Sequence, residues 1–323
     1  MYCKKNISTM ASDKLKGNLA MSVSKFFSGL NENALRYLMT NWMSAFTGVF
    51  LRLGFGAVAF WIMGIFTRKK ATPISAKKKL LLFGIGAFFM FGYMFFLLEG
   101  LAYTTPVSSA IFICMEPVWV FILCMIFFKE KATVNKIIGI AIGLGGALLC
   151  ILSQKQSEVA SNPMLGNIYC LLDSIVYSGF LVVSAHLLKG IDKVTVSKWT
   201  FLGGAVSSLI ATLIAGWDAS VLHQGLFSTP MLVLLFVLVF PSCVSYYLVD
   251  IGLKTLSPTV VALYGYLILV VATVASYILG QDHFEWVQLV AMVLIISSVY
   301  FVELAEGKEK AAPSTQVKPR QLH

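Results

Sequence analysis

The stretch that decides the fold runs from Thr104 to Lys131 and reads TTPVSSAIFICMEPVWVFILCMIFFKEK. Between Pro106 and Phe128 lie 23 residues dominated by apolar side chains, closed by Lys129, Glu130 and Lys131. At about 1.5 Å of rise per residue, such a helix crosses a hydrocarbon core about 30 Å thick. Its middle holds Glu116, followed by Pro117. A carboxylate at the bilayer centre costs a few kcal/mol on insertion scales, so it must face protein or water rather than lipid. Proline withholds an N–H and frees a carbonyl one turn earlier, which is tolerated best beside a cavity. An acid next to a helix break at membrane mid-depth predicts a substrate or ion site.

The stretch recurs. At a constant offset of 152, Gly100-Leu101 falls on Gly252-Leu253, Pro106 on Pro258, Ala110 on Ala262, Lys129-Glu130 on Gln281-Asp282, and Lys136 on Gln288. No gap is needed over about fifty residues. Internal repeats of this size characterise secondary transporters.

Composition gives the same class. Of 323 residues, 58% are apolar and 12% charged, about half the charge of a soluble domain. Apolar segments follow one another along nearly the whole chain, which predicts an all-α integral membrane protein. Five of the six cysteines lie in apolar segments without CxxC or His-paired spacing, so neither a disulfide framework nor a metal site is expected. The N-terminus shows no short apolar core with a small-residue cleavage site, and no removable signal peptide is read.

Ten transmembrane helices are predicted: Gly17–Leu38, Trp42–Phe66, Leu80–Tyr103, Pro106–Phe128, Val134–Leu152, Met164–Lys189, Ser197–Gly216, Pro230–Leu253, Pro258–Leu279 and Glu285–Glu303. Helix 1 carries Lys25, Asn31, Glu32 and Asn33; it is retained because Gly17-Asn18-Leu19 matches Gly166-Asn167-Ile168 at the start of the second half. The chain divides into an N-terminal segment (1–16), a first repeat (17–152), a linker (153–163), a second repeat (164–303) and a polar tail (304–323) expected to be disordered.

With a cytoplasmic N-terminus, 21 of the 25 basic residues, Lys136 among them, fall on the cytoplasmic side. That bias sets both termini inside a cytoplasmic membrane. It also accounts for the net charge of +10 without a nucleic-acid partner. The Asn6-Ile7-Ser8 sequon then lies inside and goes unused. Five spans per half is an odd number, so the second half must enter the membrane the other way round. The two halves thus form inverted-topology repeats, with a site near the midplane where they meet. Gly139, Gly143, Gly145 and Gly146 on helix 5 read as a close-packing stripe.

The repeated unit resembles the EamA-type half of the drug/metabolite transporter superfamily. The resemblance rests on Lys16-Gly17-Asn18, on Leu51-Arg52-Leu53, and on Gly100-Leu101-Ala102-Tyr103-Thr104-Thr105-Pro106 leading to Ala110 and Glu116-Pro117. Lys129-Glu130-Lys131 and the glycine-rich helix 5 complete the first half. It covers about residues 14 to 304. It implies ten helices, cytoplasmic termini, a central cavity and transport of small metabolites such as amino acids. The second half departs from the pattern: Ile268-Leu269 stands at the place of Glu116-Pro117, and Tyr264-Gly265-Tyr266 precedes it.

Ser109, Phe112, Glu116 and Trp119 share one helical face, which suits a small amphipathic solute. Glu116 is the candidate for proton coupling or for binding a substrate amine; the bland alternative is a hydrogen bond to a neighbouring helix. Tyr264 falls on Phe112 in the repeat, and Tyr264 and Tyr266 are candidates to line the site or simply to pack, with Gly265 allowing close approach. At the offset of 149 that relates helices 1 and 6, Lys25 falls on Ser174 and Ser24 on Asp173. Lys25 and Asp173 are therefore candidates to pair across the axis, against snorkelling and a local backbone bond. Asn31 is a further candidate lining residue. Glu99 with Tyr103, and Tyr246 with Asp250, read as local hydrogen-bonded pairs, and Arg52 as a packing or lipid-headgroup anchor.

These features predict a secondary transporter for a small organic solute, with the bilayer and a proton or counter-solute as partners, and leave the oligomeric state open. Proton-driven efflux of organic cations is the nearest alternative, and a non-transporting receptor or scaffold the alternative of another class. An embedded enzyme would need clustered His, Cys or paired acids near the surface, and the four histidines are scattered. No phosphate-binding glycine loop or haem-attachment motif is present, so no cofactor is expected, and energy comes from a gradient or from exchange.

Overall fold

The structure is a computed structural model that describes residues 2–66, 74–128, 133–153, 160–187, 191–245, 248 and 264–311. Ten helices run through these residues: α1 (Tyr2–Asn41), α2 (Ala45–Phe66), α3 (Ala76–Tyr103), α4 (Pro106–Phe128), α5 (Val134–Ser153), α6 (Pro163–Leu187), α7 (Lys193–Ala215), α8 (Thr229–Val244), α9 (Gly265–Ile278) and α10 (Trp286–Ala311). Six of them, α2 to α7, are long and apolar enough to cross a membrane. Shorter apolar stretches make α8, α9 and the first half of α10. The expected starts of helix 9 at Pro258 and ends of helices 6 and 8 at Lys189 and Leu253 lie outside the described residues, as do Lys129 to Lys131, Tyr246 and Asp250.

Local chemistry sets the boundaries. The side chains of Ser75, Thr105 and Asp192 cap α3, α4 and α7 by accepting from the N–H groups of Lys78, Ser108 and Thr195. Pro106 and Pro230 sit in first turns, where a missing N–H costs nothing. One expectation needs correction. The tail continues α10 through Ala311 instead of becoming irregular at Ala305, because Glu303 to Ala311 consists of strong helix formers apart from Gly307. Lys136, counted with the cytoplasmic-side lysines, needs only a refinement: it is 2% exposed, and its Nζ lies 4.2 Å from the centroid of the Phe121 ring.

α4 is not one continuous helix. It breaks at Cys114 and Met115 into Pro106–Ile113 and Glu116–Phe128. Pro117 cannot donate to Ile113, and the backbone tightens instead: Met115 N donates to Phe112 O at 3.0 Å and Val118 N to Met115 O at 2.9 Å. α3 and α8 each contain one π-helical turn, Gly86–Met90 and Phe240–Val244. At the 152-residue offset Gly86 lands on Leu238, two positions before the second of these turns.

Packing joins α2 to α7, α5 to α10, α3 to α6, α1 to α9, and the second piece of α4 to α6. Two apolar cores result. One gathers Leu35, Val49, Leu53, Met94, Leu98 and Phe201 from α1, α2, α3 and α7. The other gathers Phe112, Met115, Ala147, Leu269, Ala291 and Ile295 from α4, α5, α9 and α10. On α5, a Cβ at Gly143 would meet Ser298 and one at Gly146 would meet Ile295 of α10, whereas Gly145 borders open space.

At one end of the bundle the connections interlock. Ser44 N donates to Asp218 O at 3.1 Å and Ser220 Oγ to Trp42 O at 2.9 Å, joining the α1–α2 and α7–α8 turns. Asn162 N donates to Tyr103 O at 3.3 Å, joining α5–α6 to α3–α4. Arg36 Nη1 donates to Leu101 O at 2.6 Å and Ala102 O at 2.7 Å, neutralising the C-terminal carbonyls of α3. Gln281 Nε2, on the α9–α10 connection, donates to Asn33 O at 3.1 Å.

The closest helix crossing is between α3 and α7. A Cβ at Gly86 would overlap the backbone carbonyl of Thr200, and one at Gly203 the carbonyl of Phe83. Backbone cannot yield as a side chain end can. Gly86→Ala is therefore expected to destabilise the purified protein by about 3 kcal/mol or to abolish folded yield. Gly84→Ala, with nothing within 4 Å, should stay within about 0.5 kcal/mol of the parent. Thermal unfolding in detergent checks both; equal midpoints for the two variants would contradict this crossing.

Candidate functional site

The break in α4 places Glu116 at the start of a helical piece that packs on α6. Ser178 Oγ, on α6, donates to the Glu116 carbonyl at 3.1 Å while also bonding the Ser174 carbonyl at 2.7 Å. A serine of α6 thus fastens the start of the second helical piece of α4. The charge of Glu116 acts on Lys25 and Glu32, both of α1. Glu116 therefore points into the bundle.

One turn before the break, Ser109 Oγ donates to Glu32 Oε2 at 2.7 Å. Both residues are buried, and the bond ties α4 to α1. Asn31 also hydrogen-bonds the Glu32 carboxylate. Its own Oδ1 is buried and finds no donor. Asp173 of α6 is buried one turn before Ser178, within electrostatic reach of Glu116, Glu32 and Arg52. Arg52 is buried on α2 beside Leu53 of the first core. Three acids and two cations from four helices thus converge between the two cores. In a medium of low dielectric such charges interact far more strongly than in water.

Five of the residues singled out in the sequence meet here: Lys25, Asn31, Ser109, Glu116 and Asp173. Lys25 acts on Glu116 rather than on Asp173, to which the near-symmetry of helices 1 and 6 had pointed. Phe112, on the same nominal face as Ser109, is fully buried in the second core. Trp119 packs against that core, and its buried Nε1 finds no acceptor. Tyr266 is half-buried there too. Tyr264 is tied to α1, its hydroxyl donating to Asn18 Oδ1 at 3.1 Å. Among the described residues, nothing lies within 4 Å of where a Cβ on Gly265 would stand.

The sequence reading missed Glu32, Ser178 and the place of Arg52. Glu32 carried the same signal as Glu116, a carboxylate within a spanning segment, but it lay in the least apolar helix. Arg52 is 6% exposed and sits among core residues, which fits the packing side of its sequence reading and not the lipid-headgroup side. Ser178 could not have been found, since a serine in an apolar helix has no distinguishing neighbourhood in one dimension.

A second polar network lies at the interlocked end. Asp282, between α9 and α10, accepts from His283 N at 2.7 Å and from Gln288 Nε2 at 3.4 Å, bonds Thr105, and faces the Arg36 charge. Burial pushes its carboxyl above the usual aspartate range, with Thr105, the His283 N–H and Gln288 acting against that shift. Asn33 donates to Ala272 O at 3.2 Å and accepts from Ser276 Oγ at 2.8 Å. These groups bond one another, and the network reads as a structural clasp. Glu99 bonds Tyr103, as their spacing predicts. A groove of about 560 Å³ on the flank of α3, lined by Lys77, Leu80, Leu81, Gly84 and Phe88 among others, holds no acid and none of the predicted site residues. Among the described residues no group of three His, Cys, Asp or Glu side chains could hold a metal ion.

Known proteins resemble this chain in sequence and in fold. The uncharacterized transporter YyaM of Bacillus subtilis is 25% identical over 279 residues, covering 84% of this chain and 88% of its own. A WAT1-related protein of Arabidopsis thaliana is 26% identical over 260 residues, covering 68% of this chain and 62% of its own. A protein crystal structure with 17% sequence identity superposes with a TM-score of 0.60 over 93% of this chain and 99% of the other, a likeness of fold. The profile of the EamA-like transporter family matches residues 15–152 and again residues 164–304. With both halves matched separately, this chain is a membrane transporter that belongs to the EamA-like transporter family.

Proposed function

We propose that the protein is a secondary transporter that moves a small organic metabolite, of the amino-acid kind or related to it, across the cytoplasmic membrane by alternating access. The observation that carries this reading is the cluster of half-buried Lys25 and Glu116 with buried Glu32 and Asp173 beside the broken α4. Charges inside a membrane bundle mark substrate and proton pathways, and interrupted helices build transporter sites.

The two repeats, residues 17–152 and 164–303 with linker 153–163 between them, are read as five-helix units of inverted topology. Three observations support this. Adding five to each helix number maps the α3–α6 contact onto α8–α1, the α4–α6 contact onto α9–α1, and the α2–α7 and α5–α10 contacts onto themselves; all six contacts are made. The π-helical turns of α3 and α8 nearly coincide under the repeat offset. The interlocked connections put the end of α1 and the start of α6 at the same end of the bundle. Both termini, the segment 1–16 and the tail 304–323, are then cytoplasmic by the distribution of lysine and arginine.

Three measurements test the reading. Single cysteines placed at Lys131 and Gln281 should react with an impermeant maleimide from opposite sides of the membrane; reaction from one common side would remove the inverted repeat. Purified protein in liposomes should move at least one solute of a metabolite panel, with or without a pH gradient, and movement of none would remove the transport reading. Glu116→Gln should displace the pH profile of that transport by about one unit or more, since Glu116 faces Lys25, Glu32, Asp173 and Cys114. A profile identical to the parent's would reduce Glu116 to packing.

A further inference from the structure

The cluster contains one group whose chemistry is incomplete. Arg52 is 6% exposed, set into α2 between Val49 and Leu53 on one side and the acids of α1 and α6 on the other. Its guanidinium is always charged and carries five N–H donors. Two of its nitrogens, Nε and Nη1, are buried and find no acceptor among the described residues. The nearby carboxylates do not supply one to these atoms, although Glu32 and Asp173 both feel the charge. Glu32 directs Oε2 to Ser109 at 2.7 Å instead. A buried cation with unused donors is costly unless something completes it.

We propose that Arg52 anchors the carboxylate of the transported solute, and that the solute is a zwitterion whose ammonium is taken by the acids around Glu116. A carboxylate is the planar acceptor that suits guanidinium donors. The mixed groups suit a zwitterion: Arg52 offers donors to its carboxylate, and Glu32, Glu116 and Asp173 offer acceptors to its ammonium. The unpaired Oδ1 of Asn31, adjacent to Glu32, is a further acceptor for an ammonium N–H. The role of Arg52 rests on the transporter reading, but its binding step is measurable without transport.

The test is binding to the purified full chain in detergent. Ligands are L-phenylalanine, L-leucine and L-glutamine, each beside its carboxamide and its decarboxylated amine, with thermal stabilisation as the readout. At least one amino acid should stabilise the protein, while its carboxamide and amine bind on the order of 100-fold more weakly. Arg52→Gln should remove that preference, Arg52→Lys should keep it with binding about tenfold weaker, and Glu116→Gln should weaken amino acid and carboxamide alike. The parent protein alone decides the preference for a carboxylate, so the test stands even where Arg52→Gln fails to fold. Equal response to amino acid and carboxamide, response to none of the amino acids, or a preference surviving in Arg52→Gln overturns the assignment. Liposome transport without a carboxylate preference would remove Arg52 and leave the transporter; binding through Arg52 without transport would do the reverse.

Discussion

An ionised side chain within a hydrocarbon layer must be answered by another polar group, because the surrounding lipid offers none. That requirement organises this molecule. Glu32, Arg52, Glu116 and Asp173 come from four helices, of which α2, α4 and α6 are largely apolar, and each helix is rotated so that its charge comes within reach of the others. Apolar burial cannot fix such rotations by itself, since lipid tails solvate Leu and Phe as well as a protein interior does. The polar groups specify which face of each helix turns inward, and the two cores fill the space on either side of them.

The break in α4 follows from the same requirement. Pro117 withholds the N–H that Ile113 would use, and the backbone tightens through Met115 and Val118 instead. Ser178 donates to the Glu116 carbonyl at 3.1 Å and ties the break to α6. The acid, the proline and the serine thus form one local unit from two helices that belong to different halves of the chain. A similar economy holds at the interlocked end, where Arg36 serves the last carbonyls of α3 and feels the charge of Asp282.

Much of the helix layout was legible in the sequence, since a span of about twenty apolar residues bounded by lysines has few alternatives. Glu116-Pro117 announced both an inward-facing acid and an interruption, and both are present. Other features were hidden for definite reasons. The helical continuation of α10 to Ala311 depends on propensity, which a polar composition masks. The burial of Lys136 depends on the Phe121 ring from another helix, which linear spacing does not reveal. Phe112 and Ser109 share a face on an ideal helix, yet one fills a core and the other bonds Glu32. Arg52 read as a packing or headgroup anchor because a lone basic residue in the outer half of an apolar span usually is one. Its surroundings come from α1 and α6, 20 residues before it and 121 after it at Glu32 and Asp173.

The meeting of α3 and α7 has a mechanical implication. Where Gly86 and Gly203 let main chain rest directly on main chain, no side group separates the two rods at that crossing. Such a joint resists both rolling and sliding. α2 also leans on α7, and Phe201 of α7 fills the notch at Gly56. Any rearrangement of the bundle therefore carries these three rods as a single stiff plate, and the give must be found elsewhere, at the severed turn of Cys114 and Met115.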